Sequence, residues 1–387
     1  MPIEFFSSAR SSLGVEMELE LIDRQSRELV KGAHEILAEL GQGYEDGHPK
    51  AKPELLQSTV ECITGICQTV AEAREDLTAT IVEVRAAAAR RGLRMMCSGT
   101  HPFTDWNTQE ITPNDRYHRL IEQMQWPARQ MQIFGIHVHV GVRSPEKAIA
   151  MLNALCAYIP HLLALSASSP YWMGRDTGLA SSRSKVFETL PTAGIPYHLS
   201  GWPAFENFME TLISAQTISS VREVWWDIRP HPGFGTIELR VCDGIPTLDD
   251  VATMAAIAQS LVERFNSLLD RGYSLPAPRA WVTRENKWRA ARYGLDCSII
   301  VDEKGGLMPL RDACEEMVEE LLPTARRLGC ADELLGVHAI LDRGPSYIRQ
   351  RAIVARGGSL IDVVDDLCDS LDASVDRVGV TAPVAGG

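Results

Sequence analysis

The sequence has no Cys-x-x-Cys pair, although it contains nine cysteines among its 387 residues. Their number is odd and they are scattered, with Cys62 and Cys67 the closest two. This pattern excludes the usual structural zinc spacings and favours buried thiols in a reducing compartment. The segment MPIEFFSSARSS at the start also lacks the apolar core of a signal peptide, so we expect a cytoplasmic protein.

An excess of basic residues is also absent. The 38 Lys and Arg residues stand against 51 Asp and Glu residues, which gives a formal net charge of −13. This balance, without a basic stripe, argues against a nucleic-acid partner. The most apolar long stretch, from Met151 to Ala167, is interrupted by Pro160 and His161 and is too short to span a membrane comfortably. We therefore expect neither nucleic acid nor a membrane as a partner.

Glycine-rich phosphate loops are missing too. The chain contains no Gly-x-x-x-x-Gly-Lys-Ser/Thr motif, and no Gly-x-Gly-x-x-Gly follows a predicted strand. If ATP binds to this protein, its phosphates must be held by metal ions and side chains instead of by a backbone loop.

What the sequence does contain is a row of carboxylates near its start. Glu16, Glu18 and Glu20 alternate with Met17 and Leu19 in the segment GVEMELELI. Because side chains alternate faces along a β-strand, this segment predicts one apolar face and one anionic face. Like charges about 7 Å apart along a strand repel one another unless cations neutralise them, and oxygen ligands suit Mg²⁺ or Mn²⁺. The alternative is a solvated outer face of an antiparallel sheet.

Three further segments show the same alternation. His137 and His139 share a face in QIFGIHVHVGV, and Glu238 and Arg240 share a face in TIELRVCD. Glu61 lies between two apolar residues in LLQSTVECIT. Together these segments predict a sheet with helices packed on its apolar face and a polar, metal-binding concave face.

Between and after the predicted strands the sequence is largely helical. Apolar periodicity predicts long helices over residues 70–91 and 248–271, and everything beyond Pro278 reads as helical. This order of elements predicts an α+β fold in one catalytic unit over residues 1–375, with a helical C-terminal extension from about residue 278. Residues 376–387 are predicted to form a disordered tail.

One long stretch, from Ser168 to Trp202, is rich in Ser, Gly, Pro and Arg and lacks sustained periodicity. Loops of this length are uncommon in compact proteins and are often functional. Arg183 and Lys185 could reach over an anionic site from here, or they could be incidental charges on a mobile surface loop.

Carboxylates, a histidine and an arginine on one sheet face suit metal-assisted phosphoryl transfer. Divalent cations neutralise the nucleotide phosphates and need rigidly held carboxylates, which strands provide better than loops. An arginine neutralises charge that develops on the transferred group, because its fork matches phosphate geometry.

Six segments, taken in order, carry a resemblance to a known family. They are GVEMELELID, ELLQSTVEC, FGIHVHVGV, RSKVFETLPTAGIP, TIELRVCD and NKWRAARYGLD. From about Leu13 to Leu371 the chain resembles the glutamate–cysteine ligase superfamily, in its bacterial carboxylate–amine ligase branch. The resemblance implies a glutamine-synthetase-like fold in which a curved antiparallel sheet forms the active-site bowl. It also implies ATP-dependent amide formation, in which a carboxylate becomes an acyl phosphate and an amine displaces phosphate.

The same resemblance implies a set of site residues. The implied metal ligands are Glu16, Glu18, Glu54, Glu61, His137 and Glu238. Arg240, facing the phosphate, and His137 are the implied catalytic residues, and Arg292 would close the nucleotide pocket. Glu54 and Glu61 differ in parity, so a regular strand would not point both inward; we expect Glu54 to precede the strand or to follow a bulge.

Two further residues are candidate nucleotide contacts, Arg183 and His139, although a hydrogen-bonded His139 is an equal alternative. Glu20 could line only the rim of the site. Small-molecule carboxylate and amine substrates are expected, glutamate and cysteine being those of the namesake reaction, and a homodimer is implied by the resemblance alone.

Two other functions compete with the ligase. A metal-dependent hydrolase is one, because His-x-His on a strand is also a zinc or iron signature. The other is a non-catalytic nucleotide or amino-acid sensor on the same fold.

Overall fold

The structure, a computed structural model, describes residues 3–381. Its strands are β1 (Leu13–Asp23), β2 (Ala51–Pro53), β3 (Thr59–Ile63), β4 (Leu93–Met96), β5 (Ile136–Gly141), β6 (Tyr171–Trp172), β7 (Arg175–Asp176), β8 (Ile228–His231), β9 (Thr236–Leu239), β10 (Ser298–Ile300) and β11 (Leu307–Pro309). Seven of these form one antiparallel sheet in the order β2-β3-β1-β5-β9-β8, with β4 paired to the end of β1. The fold is the predicted α+β class.

Helices occupy most of the rest of the described chain. They are α1 (Ala33–Leu40), α2 (Val70–Arg90), α3 (Asp115–Met124), α4 (Trp126–Arg129), α5 (Pro145–Leu155), α6 (Ile159–Ser166), α7 (Arg183–Phe187), α8 (Trp202–Ser214), α9 (Leu248–Asp270), α10 (Ala280–Tyr293), α11 (Leu310–Leu328), α12 (Ala331–Arg343), α13 (Ser346–Ala355) and α14 (Leu360–Thr381). Side-chain caps begin several of them; Thr69, for example, accepts a hydrogen bond from the Glu72 amide at the start of α2.

The apolar face of the sheet is covered by α2, α5 and α9. Val15, Met17, Leu19 and Leu21 of β1 are all buried in this layer, where the alternation in the sequence predicts them to be. Their burial leaves the carboxylates of the same strand on the opposite, concave face. The helical stretch Pro145–Ser166 has the length and composition of a membrane span, but 78% of its most apolar window is buried inside the protein.

Some predicted boundaries are corrected. The hairpin of β10 and β11 interrupts the region beyond Pro278, which was predicted to be entirely helical. Two very short strands and α7 lie within the stretch predicted to be a loop from Ser168 to Trp202. The last helix continues to Thr381, so residues 376–381 of the predicted disordered tail are helical. Residues 382–387 of that tail lie outside the described residues.

Candidate active site

A cavity of about 460 Å³ lies over the concave face of the sheet. It is lined by every site residue predicted from the sequence except Arg292. One side of the cavity is apolar and includes Leu120, Met131 and Trp225, whereas the floor is formed by charged side chains of the sheet. A wide charged floor with one apolar side suits a ligand that has both phosphates and an aromatic or aliphatic part.

Strand register brings the charged residues of the floor together. Glu16 of β1 lies opposite His137 of β5, and Glu18 of β1 lies opposite Glu61 of β3. On the other side of β5, His139 lies opposite Glu238 of β9. Directly opposed residues in an antiparallel sheet have Cβ atoms about 4.5–5.5 Å apart, so their polar ends can share one ligand.

Two groups of side chains have the arrangement needed to hold a metal ion. One contains Glu18, Glu61 and His137, and the other contains Glu16, His137 and Glu238. In each group one ligand atom from every residue lies within 4.8 Å of the others. Two carboxylates and one imidazole fit Mg²⁺ or Mn²⁺ better than zinc, which favours sites richer in nitrogen or sulfur.

The first group lacks enough positive charge of its own. Burial, together with the nearby carboxylate of Glu54, raises the pKa of Glu18 from its ordinary value of 4.5 to about 8. Burial and the charges of Glu54, Glu16 and Glu18 raise the pKa of Glu61 well above its usual range. Within the described residues, the Glu61 carboxylate makes no hydrogen bond or ion pair, and the Lys52 ammonium across the ladder donates instead to the His48 carbonyl oxygen at 3.0 Å. A divalent cation would supply the missing charge.

The carboxylates of the second group already have side-chain partners that stabilise their negative charge. Glu238 accepts hydrogen bonds from Arg229 Nε at 2.8 Å and from Arg229 Nη2 at 2.6 Å, and its other oxygen pairs with Arg240. Burial alone would raise the pKa of Glu238, but the two arginines outweigh it and hold the pKa well below its usual range. The Glu16 carboxylate likewise has its pKa lowered, because hydrogen bonds from His137 and His139 outweigh the effect of burial.

The two histidines differ in their surroundings. His137 Nδ1 lies 3.0 Å from a Glu16 oxygen, and burial together with the charge of Arg240 lowers the pKa of His137 to about 4. A neutral imidazole can donate a lone pair to a metal ion. His139 Nδ1 is hydrogen-bonded to the Thr236 hydroxyl at 3.0 Å and belongs to neither metal group. Although burial lowers its pKa, Glu238 and Glu16 more than offset this, and the pKa of His139 is raised.

Glu54 lines the cavity, whereas Glu20 does not. Glu54 follows β2 and precedes β3, so it enters the cavity from the loop, as the parity argument predicts. Glu20 does not line the cavity, because it is fully buried and accepts a hydrogen bond from the Ser98 amide at 3.0 Å. The expectation that Glu20 lines the rim was therefore wrong; burial raises the pKa of Glu20 well above its usual range.

The Ser-rich stretch is tightly held instead of being a mobile surface loop. Asp243, which is fully buried, accepts hydrogen bonds from the Ser168 amide at 3.0 Å, the Ser169 hydroxyl at 2.7 Å and the Ser181 hydroxyl at 2.8 Å. The Ser169 hydroxyl in turn accepts a hydrogen bond from the Arg183 amide at 3.1 Å. This network sets Arg183 over the cavity, where its positive charge opposes the rise in the pKa of Glu18.

Arg292, the predicted nucleotide contact on α10, does not line the cavity. Its guanidinium donates to the Gly178 carbonyl oxygen and lies 4.8 Å from the centre of the Tyr293 ring. Contact between Arg292 and a nucleotide stays a prediction.

Sequence reasoning missed two residues of the floor, Arg229 and His231. Both lie on β8 and face the cavity, and they alternate with Ile228 and Pro230. The same two-residue period that identified Glu238 and Arg240 was present in WWDIRPHP and could have identified them. Arg229 is 5% exposed, and its two bonds to Glu238 make it the main counter-charge on this side of the floor.

Comparison with protein families gives a match over residues 12–366 to the family described as glutamate–cysteine ligase family 2. The chain belongs to this family. A relative from Frankia alni, provisionally named glutamate–cysteine ligase 2-1, is 59% identical over 374 residues, which cover 96% of this chain and 98% of the relative. A second, from Thermobifida fusca and provisionally named glutamate–cysteine ligase 2, is 55% identical over 380 residues, covering 98% and 95%.

Solved structures support the fold of this family 2 member. The glutamate–cysteine ligase of Francisella tularensis, determined in complex with AMP, superimposes with a TM-score of 0.66 at 12% identity, covering 98% of this chain and 97% of that one. A bifunctional glutathione synthetase from Pasteurella multocida gives a TM-score of 0.67 at 16% identity, covering 95% of this chain and 53% of that one. At such identities the likeness shows the fold alone. Family membership makes the protein an ATP-dependent ligase that forms carbon–nitrogen bonds.

Proposed function

We propose that this protein joins a small carboxylic acid to an amine through an acyl phosphate, with ATP and Mg²⁺ or Mn²⁺, and that glutamate is the first acid to test. The observation that carries the proposal is the asymmetry of the floor. Glu18, Glu54 and Glu61 lie together on the cavity and form no ion pair among the described residues, whereas Glu16 is paired with a histidine and Glu238 with two arginines.

The divalent cations would be held by Glu18, Glu61 and His137, and by Glu16, His137 and Glu238, where they supply charge to neutralise the ATP phosphates. The donor set fits this role, because carboxylate oxygens are the preferred ligands of Mg²⁺ and Mn²⁺. Metal binding also explains why several like charges are kept on one rigid sheet, where their mutual repulsion costs stability.

In this proposal, Arg240 and Arg183 stabilise the transferred phosphoryl group. Arg240 lies 12% exposed on the floor, and its Nε has no hydrogen-bond partner among the described residues. A guanidinium with a free donor can bind a phosphate oxygen as negative charge spreads over the transferred group. Arg183, which also lines the cavity, adds a second cation.

The proposed reaction has two steps. A substrate carboxylate oxygen attacks the terminal phosphorus of ATP, and ADP leaves. The amine nitrogen next attacks the acyl carbon, the bond to the phosphate oxygen breaks, and the amine loses a proton. The low dielectric of the buried floor strengthens each of these electrostatic contacts.

The hydrolase alternative loses its main support in the structure. Each group that could hold a metal within the described residues contains two carboxylates and one histidine, and His139 belongs to neither group, although its Nε2 lies 3.2 Å from a Glu16 oxygen. A nitrogen-rich zinc or iron site is therefore not formed by the His-x-His strand.

The test is ADP release with ATP and Mg²⁺, with acids and amines screened in pairs and each component omitted in turn. We expect ADP to form only when an acid is present, and an amide of the expected mass to appear when an amine is added. ADP release without any acid, or saturable ATP binding with no turnover for any pair, would contradict the proposal; the second result would favour the sensor.

A further inference from the structure

A lysine behind the active-site cavity is almost completely buried. Lys287, on α10, is 1% exposed and does not line the cavity. Its ammonium lies 2.6 Å from a Glu188 oxygen, and 2.8 Å and 2.6 Å from the two oxygens of Asp227. Although burial lowers the pKa of Lys287, the two carboxylates outweigh it and the pKa is raised, so the ammonium is charged at neutral pH.

Asp227 connects this ammonium to the charged floor of the cavity. Its carbonyl oxygen accepts a hydrogen bond from the Arg240 amide at 2.8 Å, and its own amide donates to the Gly194 carbonyl oxygen at 2.7 Å. Asp227 also immediately precedes β8, which carries Arg229. Movement of Asp227 would therefore displace the backbone of Arg240 and the start of β8 together.

Glu188 connects the same ammonium to the segment that carries Arg183. It directly follows α7, the short helix that begins at Arg183, and it also pairs with Lys185 at 2.8 Å. The Arg183 guanidinium lies beside the segment that directly follows β9, with its Nη2 3.4 Å from the Arg240 carbonyl oxygen. Lys287 thus joins, from behind, the two segments that carry the arginines of the site.

The stability of the fold alone gives little reason to keep this lysine. A buried ion pair often contributes less to stability than a well-packed apolar side chain of similar volume, because desolvating the charges costs as much as their attraction returns. However, an ammonium that must contact two carboxylates allows only one relative position of the three side chains. An apolar contact would allow several positions.

We propose that Lys287 is a positioning residue of the ligase, which holds Arg183 and Arg240 at the spacing that the phosphoryl group requires. The claim that Lys287 serves catalysis rests on the proposed function. The claim that it fixes the positions of the two segments rests on the ion pairs alone. It also gives the segment NKWRAARYGLD a role through Lys287, although Arg292 of the same segment lies away from the cavity.

The test compares Lys287→Met with Lys287→Arg and with the triple variant Lys287→Met/Asp227→Asn/Glu188→Gln, in which no buried charge is left unpaired. Arg94→Met is the matched control, because Arg94 bridges Asp369 and Asp372 between β4 and α14, remote from the cavity. Amide hydrogen exchange is measured on the metal-free proteins, and kcat and the KM for ATP are measured at equal intervals below each melting temperature.

We expect Lys287→Met to raise exchange at least tenfold in residues 183–194 and to lower kcat/KM for ATP at least tenfold, while Arg94→Met does neither. The triple variant should regain thermal stability without regaining kcat/KM. Lys287→Arg should retain part of the wild-type kcat/KM. Recovery of kcat/KM along with stability in the triple variant, or an equal rise of exchange throughout the protein, would overturn the positioning role. If the wild-type protein shows no turnover, the proposed function fails, and the exchange comparison still decides the role of Lys287.

Discussion

Replacing Glu18 with glutamine should stabilise the metal-free protein and remove its stabilisation by Mg²⁺. Folding raises the pKa of Glu18 from 4.5 to about 8, through burial and the neighbouring Glu54. At pH 7 folding therefore favours protonation of this group, and a difference of about 2.5 pH units between pH 7 and the ordinary pKa, at about 1.36 kcal/mol each, corresponds to roughly 3 kcal/mol. Because the side chain is partly exposed and coupled to Glu54, we take about 3 kcal/mol as an upper limit.

The sign of this effect gives the pH dependence. A carboxyl group whose pKa is raised by folding binds more protons in the folded state, so wild-type stability falls as pH rises from 4.5 towards 8. The advantage of Glu18→Gln should accordingly be about 1 kcal/mol or less at pH 5 and should grow up to pH 8. Glutamine retains an oxygen that can accept the hydrogen bond from the Gly135 amide, so this bond is kept in the variant.

Thermal unfolding with and without Mg²⁺ measures both effects. An unfolding entropy of about 2.1 cal/mol/K per residue converts 3 kcal/mol into a rise of about 4 °C for a chain of 387 residues. Wild-type protein should gain about 2.7 kcal/mol at Mg²⁺ a hundredfold above its dissociation constant, and the variant should gain far less. Glu75→Gln, an exposed change on α2, should do nothing. A Glu18→Gln protein that is no more stable than wild type at pH 7, or that keeps the full gain from Mg²⁺, would refute the assignment of a repelled metal ligand.

Three other changes test the remaining parts of the floor. Glu238→Gln should change the free energy of unfolding in the opposite direction to Glu18→Gln, because Arg229 and Arg240 lose their buried counter-charge. We expect a loss of about 3–5 kcal/mol in denaturant unfolding. A loss below about 1 kcal/mol would show that these pairs are solvated. Arg240→Ala should lower the single-turnover rate by about 10²–10³ with little change in ATP affinity, and a defect confined to affinity would contradict its role at the phosphoryl group. Removal of divalent ions by chelation should abolish ADP release, with recovery on adding Mg²⁺ or Mn²⁺ but not Zn²⁺, as expected for ligands that are mostly carboxylate oxygens; full recovery by Zn²⁺ alone would return the histidine strand to consideration.

Much of the floor could be predicted from the sequence, because the alternation of faces along a strand is a local property. Once GVEMELELI is assigned as a strand, the backbone geometry alone puts Glu16 and Glu18 on one face and Val15 and Met17 on the other. The same reasoning placed His137 and Glu238 facing the cavity, and the parity of Glu54 against Glu61 correctly put Glu54 outside β3.

Other features of the site depend on which distant segments meet, and no local pattern contains that information. The pairing of Arg229 with Glu238 requires the β8–β9 register, and Asp243 orders the Ser-rich stretch through hydroxyl groups about 60–75 residues away. Before packing is known, a serine-rich segment can equally be a mobile loop, since its hydroxyl groups can bond to water.

The segment NKWRAARYGLD shows the division most clearly. The sequence established that α10 carries several cations, but it did not establish which of them faces the interior. Lys287 and Arg292 are five residues apart, which turns them about 140° from each other around a helix. Only the packing of α10, which lies mainly against α6 and β10, decided that Lys287 points inward to Glu188 and Asp227, because a buried ammonium needs carboxylates close to it.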